Sequence, residues 1–311
     1  MSGAAQTSLR LPRQLDVLKA LETAPPTPDF VLPGLPTGSV GAVVAPGATG
    51  KTLLLLQVCA AVATGTPVLG GLFEAKVKLT APAKVVLVVA EETMDVMHAR
   101  LHAAVAQLLP PNLPAPAKLR LRDCLAENLH VYPLAGTYRM LLDGRDPSGH
   151  DGLAALAQLS EGSRLVVIDP LRQFHTGDEN DSWVMTSILQ ALQVIACAGP
   201  RAVLVAHHTN KAATLSGQGD RAAASRGSAA FTDAVRWQLN LSALDDALAA
   251  EYKVDKDTIR NHVRVDLSKA NYLPPQPPAV LRREAGGAFA MLSAPQSASC
   301  SSEKRKSGAK S

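Results

Sequence analysis

The stretch Val40 to Thr52, VGAVVAPGATGKT, decides how this chain is read. Val and Ala dominate its first six positions and none is charged, as expected of a strand buried on both faces. Pro46, Gly47 and Gly50 then break the strand, Lys51 and Thr52 follow, and the run LLLLQVCAAVA continues as an apolar helix to Ala63. Strand, glycine loop and helix in that order make a phosphate cradle, because loop N–H groups and a helix N-terminus offer donors and partial positive charge. Ala45, Pro46, Gly47, Ala48, Thr49, Gly50, Lys51 and Thr52 are therefore the candidate nucleotide-binding residues. Lys51 supplies a full charge to the β- and γ-phosphates, and the Thr52 hydroxyl is a ligand for Mg²⁺. The GxxxxGK[ST] pattern departs at one place, where Ala45 replaces the first glycine, and Gly47 is expected to supply the missing flexibility.

Working outward, 311 residues accommodate one large α/β domain with short arms, and a hydrophobic content of 47% argues for a globular chain. No apolar run reaches the length of a membrane span, and the N-terminus MSGAAQTSLRLPRQLD lacks an apolar core with a cleavage site, so a cytoplasmic protein without a membrane partner is expected. Cys59, Cys124, Cys197 and Cys300 form no CxxC pair and read as free thiols. The net charge of +4 and pI of 8.9 permit an anionic partner without demanding one. An aromatic content of 4% argues against a stacking platform for single strands, so any DNA is held by its phosphates.

Residues 1 to 39 read as an arm, with an amphipathic segment Arg13 to Thr23 ahead of the proline-rich APPTPDFVLPGLP; it packs either on its own domain or on a neighbouring subunit. The strand KVVLVVAEE, Lys84 to Glu92, ends in two carboxylates where parallel sheets place their ligands. Glu91 is the candidate general base for the attacking water, while Glu92 reads as the acidic start of the next helix. A helix over 94–109, a surface loop at PPNLPAPAK, a strand from Asn128 to Leu134 and a further helix follow. The strand SRLVVIDP, 163–170, then ends in Asp169, read either as a Mg²⁺ ligand beside Thr52 or as an N-cap. LRQFHTGDENDSWV reads as polar and mobile, ahead of the helix MTSILQALQVIACA. The strand RAVLVAHH ends in His207 and His208, and a Gly-, Ala- and Ser-rich basic stretch, 209–230, follows it as a nucleotide-responsive loop or an ordinary surface loop. Beyond Phe231, HVRVDLSKANYLPP and PAVLRREAGGAFAML read as antiparallel edge strands. Residues 293–311 read as a disordered basic tail.

The set APGATGKT, VVAEE, LVVIDPLRQFH, LVAHHTNKAA, ASRGSAAFTDAVRW and SKANY resembles the RepA-type replicative DNA helicases of small mobilisable broad-host-range plasmids over roughly residues 15 to 290. P-loop and acidic strand are shared by many ATPases; LRQFH, the double histidine, SRGS with DAVRW, and SKANY are more specific as a set. The resemblance implies a RecA-like α/β core over 40–292, a mostly parallel sheet with helices on both faces and an antiparallel C-terminal edge. It implies a hexameric ring hydrolysing ATP with Mg²⁺ at its subunit interfaces, single-stranded DNA in the central hole, and initiator and primase as partners. Glu91 matches the catalytic base, Asp169 the acidic-strand aspartate and His208 the γ-phosphate sensor. Arg236 matches the arginine finger from the next subunit; Arg283, and less closely Arg226, match arginines near the phosphates across the interface. The alternative is a nucleotide-gated DNA-binding or regulatory ATPase that assembles without unwinding. A small-molecule kinase is disfavoured because no lid with clustered arginines is evident.

Overall fold

A computed structural model of the chain describes residues 14–72, 81–137, 151–208 and 229–293. In chain order its strands are β1 (Phe30–Leu32), β2 (Leu35–Pro36), β3 (Val40–Ala45), β4 (Val85–Val89), β5 (Leu129–Pro133), β6 (Leu165–Asp169), β7 (Ala202–His208), β8 (Trp237–Ala243), β9 (His262–Ala270), β10 (Ala279–Arg283) and β11 (Phe289–Met291). The helices are α1 (Val17–Glu22), α2 (Lys51–Thr64), α3 (Met94–Ala106), α4 (Ala115–Asn128), α5 (Asp151–Leu159), α6 (Ser182–Cys197), α7 (Ala229–Ala234) and α8 (Asp246–Glu251). Nine strands form one sheet in the order β11-β10-β9-β8-β3-β7-β6-β4-β5. The six from β5 to β8 run parallel, and β9, β10 and β11 are antiparallel.

Strand alternation distributes the core between two faces. Val43, Ala45, Leu87, Val167 and Leu204 point toward α2, whereas Ala42, Val44, Val86, Ile168 and Val205 point toward α6. Along α2 every residue except Thr52 is buried, in keeping with its having no polar face. Its one amide, Gln57, is satisfied by the backbone of β11: Nε2 donates to Phe289 O and Oε1 accepts from Phe289 N, both at 2.9 Å. That reciprocal pair ties the C-terminal edge to the P-loop helix.

Two sequence expectations shift, and one open alternative takes a side. The loop read at PPNLPAPAK ends early, because Pro116 falls within the first turn of α4, where its missing N–H costs nothing. The segment read as polar and mobile after Asp169 instead turns into the core: Leu171 and Phe174 are fully buried in a 3₁₀ turn, and Asp181 caps α6 by accepting from the N–H groups of Trp183 and Val184. The last residues of the arm pack on their own domain. Trp237 Nε1 donates to Pro33 O at 3.1 Å, and Arg164 grips Asp29 through two 2.7 Å bonds. Ahead of them α1 buries no residue and exposes Val17, Leu18 and Leu21, as does the chain just before it at Leu15. The stretch 209–228, with Arg226, and the tail 294–311 lie outside the described residues.

Candidate nucleotide site

β3 delivers the glycine loop to the C-terminal edge of the sheet, at its centre. Ala45 is the last residue of the strand and fully buried, so no glycine is needed there. The left-handed positions of the loop are Ala48 (φ 60°) and Gly50 (φ 97°) rather than Gly47, which corrects the assignment of flexibility to that residue. Gly50 is doubly constrained: a Cβ there would stand 2.8 Å from both the Arg283 guanidinium and the Phe289 ring. Lys51 is buried and folds back over the loop, with Nζ 2.9 Å from Ala45 O, 3.1 Å from Pro46 O and 3.3 Å from His208 Nδ1. Its ammonium thus sits at the mouth of the cradle, where a phosphate would outcompete the neutral loop carbonyls.

Register brings the remaining groups to the same edge. Ala45 pairs with His208, and Val89, the last residue of β4, pairs with Asp169. Asp169 is 3% exposed, and its carboxyl is raised to about 6, chiefly by burial and secondarily by Glu91; the Thr52 hydroxyl bond, Lys51 and Arg100 oppose the rise. One carboxylate oxygen, Oδ2, is buried with no hydrogen-bond partner. A hydroxyl and a carboxylate side by side, with one oxygen left over, are the hard donors Mg²⁺ requires, so Thr52 and Asp169 fit that ion. Glu91 is exposed beyond them, and Gln173 Nε2 donates to its Oε1 at 3.3 Å. Glu92 is turned away by a 2.6 Å ion pair with Arg100 of α3. Arg100 belongs to no motif, and Gln173, although it lies within LRQFH, carries no role that the motif itself reveals; only the fold brings the two to the carboxylates. Below the site, burial pushes the Cys59 thiol up, with Asp169 adding to the rise, and leaves it inert.

The arginines separate into two environments. Arg283 lies against its own loop, donating to Thr49 O and held 5.0 Å from the centre of the Phe289 ring. Beside it a cavity of about 600 Å³ opens from Pro46, Ala48 and Thr49 toward Leu241, Leu244 and Val263. Acidic residues therefore flank the loop on the β6 and β4 side, and this cavity flanks it on the β8 and β9 side. Arg236 is exposed at the opposite end of the sheet: its N–H donates to Val40 O, at the start of β3. Five residues of strand, about 16 Å, separate that point from the loop, so Arg236 does not reach the cradle of its own chain.

A twisted sheet of this order, with a glycine loop, a buried lysine and an acidic strand end converging on its C-terminal edge, defines an α/β P-loop protein of RecA-like architecture. The chain belongs to the AAA domain family, whose model matches residues 5–214, more than half of its length. Among solved structures it is similar to an ATPase domain, with a TM-score of 0.55 and 15% identity over 89% of this chain and 96% of that one. It is also similar to a DnaB-like replicative helicase described with its interactions with primase, with a TM-score of 0.52 and 14% identity over 88% of this chain and 66% of that one. At these identities the likeness is one of fold.

Proposed function

We propose that this protein is an ATP-driven DNA helicase that acts in plasmid replication as a ring, hydrolysing ATP at subunit interfaces while moving on single-stranded DNA. The observation that carries the reading is the division of catalytic parts: Lys51, Thr52, Asp169, Glu91 and His208 share one edge, and Arg236 stands at the other end of the sheet. A triphosphate whose γ end lies by Asp169 and Glu91 leaves its nucleoside end in the cavity lined by Leu241, Leu244 and Val263. Lys51 leaves the loop carbonyls for the phosphates, and Glu91, steadied by Gln173, takes the proton of the attacking water. Mg²⁺ bound by Thr52 and Asp169 would neutralise charge on the phosphate oxygens. Arg236 completes a neighbouring subunit's site, where a finger contributes a rate factor of about 10³ to 10⁵. His208, in contact with Lys51 and directly ahead of 209–228, senses the loss of the γ-phosphate and passes it to DNA held by that stretch. Initiator and primase partners follow from the same motif set.

The test mixes Lys51→Ala chains with Arg236→Ala chains and measures ATPase activity and unwinding of a forked duplex. Recovery in the mixture above either variant alone is expected, because some interfaces then pair an intact loop with an intact finger. No recovery would overturn shared sites. ATPase activity with rings but no strand separation would point instead to a nucleotide-gated assembly.

A further inference from the structure

The helix that follows the Glu91–Glu92 pair carries two histidines that neither the nucleotide site nor the core uses. His98 and His102 lie one turn apart on α3, and both are exposed. Their Nε2 atoms stand 3.2 Å apart, with ring centroids 5.0 Å apart and planes inclined at 44°. Two imidazole nitrogens bound tetrahedrally at about 2.0–2.1 Å to one divalent cation lie about 3.3 Å apart, so the rings already hold the separation that a shared metal imposes. We infer that His98 and His102 form a surface site for a borderline transition-metal cation of the Zn²⁺, Ni²⁺ or Cu²⁺ class.

Several features of the sequence and fold support it. At 100° per residue, Asp95, His98 and His102 fall within an arc of about 60° on the solvent face, so a carboxylate lies one turn before the rings on the same stripe. Ala99 and Ala106, which flank that stripe, are small and leave the approach open. The helix beneath is fixed: Thr93 caps it, Arg100 binds Glu92, and Ala103 meets Gly286 of the C-terminal edge. The backbone that spaces the rings therefore needs no ordering on binding. A contact between two ring nitrogens requires one to donate and the other to accept. A cation requires both lone pairs, so both rings take the Nδ1–H tautomer and the proton between them is replaced by the metal. Imidazole selects against Mg²⁺, which prefers oxygen, so this site and the Thr52–Asp169 pair take different ions. Among the described residues no group of three or more His, Cys, Asp or Glu is placed to hold a metal, so water completes the coordination.

The test titrates the full chain with zinc chloride in excess Mg²⁺ by calorimetry. One Zn²⁺ per chain is expected, with affinity falling about tenfold or more in His98→Ala and in His102→Ala. Asp95→His, which lengthens the stripe, should tighten binding. Cu²⁺-loaded chain should show two imidazole nitrogens by electron paramagnetic resonance, and one in each single variant. Nucleotide binding, unchanged in all three variants, verifies their folding. Absence of Zn²⁺ binding by the wild-type chain, or equal affinity and stoichiometry in the His98→Ala/His102→Ala double variant, overturns the site.

Discussion

Replacing Asp169 with Asn should stabilise the nucleotide-free protein in a way that depends on pH. The carboxyl is buried at 3% exposure, and burial raises its proton affinity from 3.8 to about 6. At 1.36 kcal/mol for each tenfold change in proton affinity, holding it ionised in the native state costs about 3 kcal/mol. The sign follows from proton counting: between about pH 4 and pH 6 the native state keeps a proton that the unfolded state has lost, so stability falls as pH rises. Below pH 4 both states are protonated and the cost is absent; above pH 6 it is present in full. Asp169→Asn, neutral and of the same shape, should therefore exceed wild type by about 3 kcal/mol at pH 8 and match it near pH 4. Urea unfolding followed by circular dichroism, with EDTA present, measures both differences. With ATP and Mg²⁺ the order should reverse, because the ion stabilises the ionised carboxylate that the variant lacks. A variant no more stable than wild type at pH 8, or equally stabilised at both pH values, would refute the argument that this carboxylate is held buried for a cation.

His175 should show the opposite slope. Burial, aided by Arg172, lowers its imidazole to about 4, so the unfolded state binds a proton that the native state refuses between pH 6.5 and pH 4. His175→Leu should abolish an acid-induced loss of about 3 kcal/mol in that window, visible as a shallower fall of urea midpoint on acidification. Gln57→Leu leaves the Phe289 N–H and carbonyl buried and unpaired, and should cost about 2–4 kcal/mol by the same unfolding assay. Trp237→Phe, which strips the donor from Pro33 O, should cost about 1–3 kcal/mol and expose residues 30–36 to protease. For the cavity, Ala243→Trp should weaken ATP but not tripolyphosphate in a fluorescence competition assay, whereas Lys51→Ala should weaken both; equal loss of the two ligands in Ala243→Trp would place the nucleoside elsewhere.

Legibility in the sequence followed how each signal is written. β3, β4 and β6 are fully buried parallel strands, as is β7 as far as His207, and the apolar run each requires is visible as such. The P-loop lysine and the aspartate and histidines at strand ends follow from those strands, because a parallel sheet sends every C-terminal strand end to one edge. The first five residues of β8 are buried as well yet gave no run, since Gln238 and Asn240 interrupt it; both are 0% exposed, and Gln238 Nε2 donates to Asn240 Oδ1 at 2.9 Å. Polarity breaks the apolar run that would announce a strand, whereas the bond between the two amides is made inside the sheet. The segment after Asp169 misled for the same reason. Its His175 and Glu179 are buried, the latter beside His207, and only tertiary neighbours make those polar groups tolerable there.

The residues themselves do not place the arginines: the resemblance set both Arg236 and Arg283 across an interface, whereas the fold lays Arg283 against its own loop. Arg236 and Arg283 are both exposed or half-buried cations near the C-terminal strands, and nothing local distinguishes them. Parallel pairing of β8 with β3 puts the residue before β8 at the far end of the sheet from the loop. The antiparallel turn-back of β9 and β10 then returns Arg283 to the loop side, where Phe289 and Gly50 receive it. β10 thus runs the same way as β8, and the difference lies in position along the strand: Arg236 precedes the start of β8 and Arg283 closes β10, so only Arg283 lies beside its own cradle. A substitution at Arg283 should accordingly weaken nucleotide binding by isolated chains. One at Arg236 should leave that binding intact and lower only the turnover that depends on protein concentration, and a loss of nucleotide affinity in monomeric Arg236→Ala would contradict the strand order as the cause.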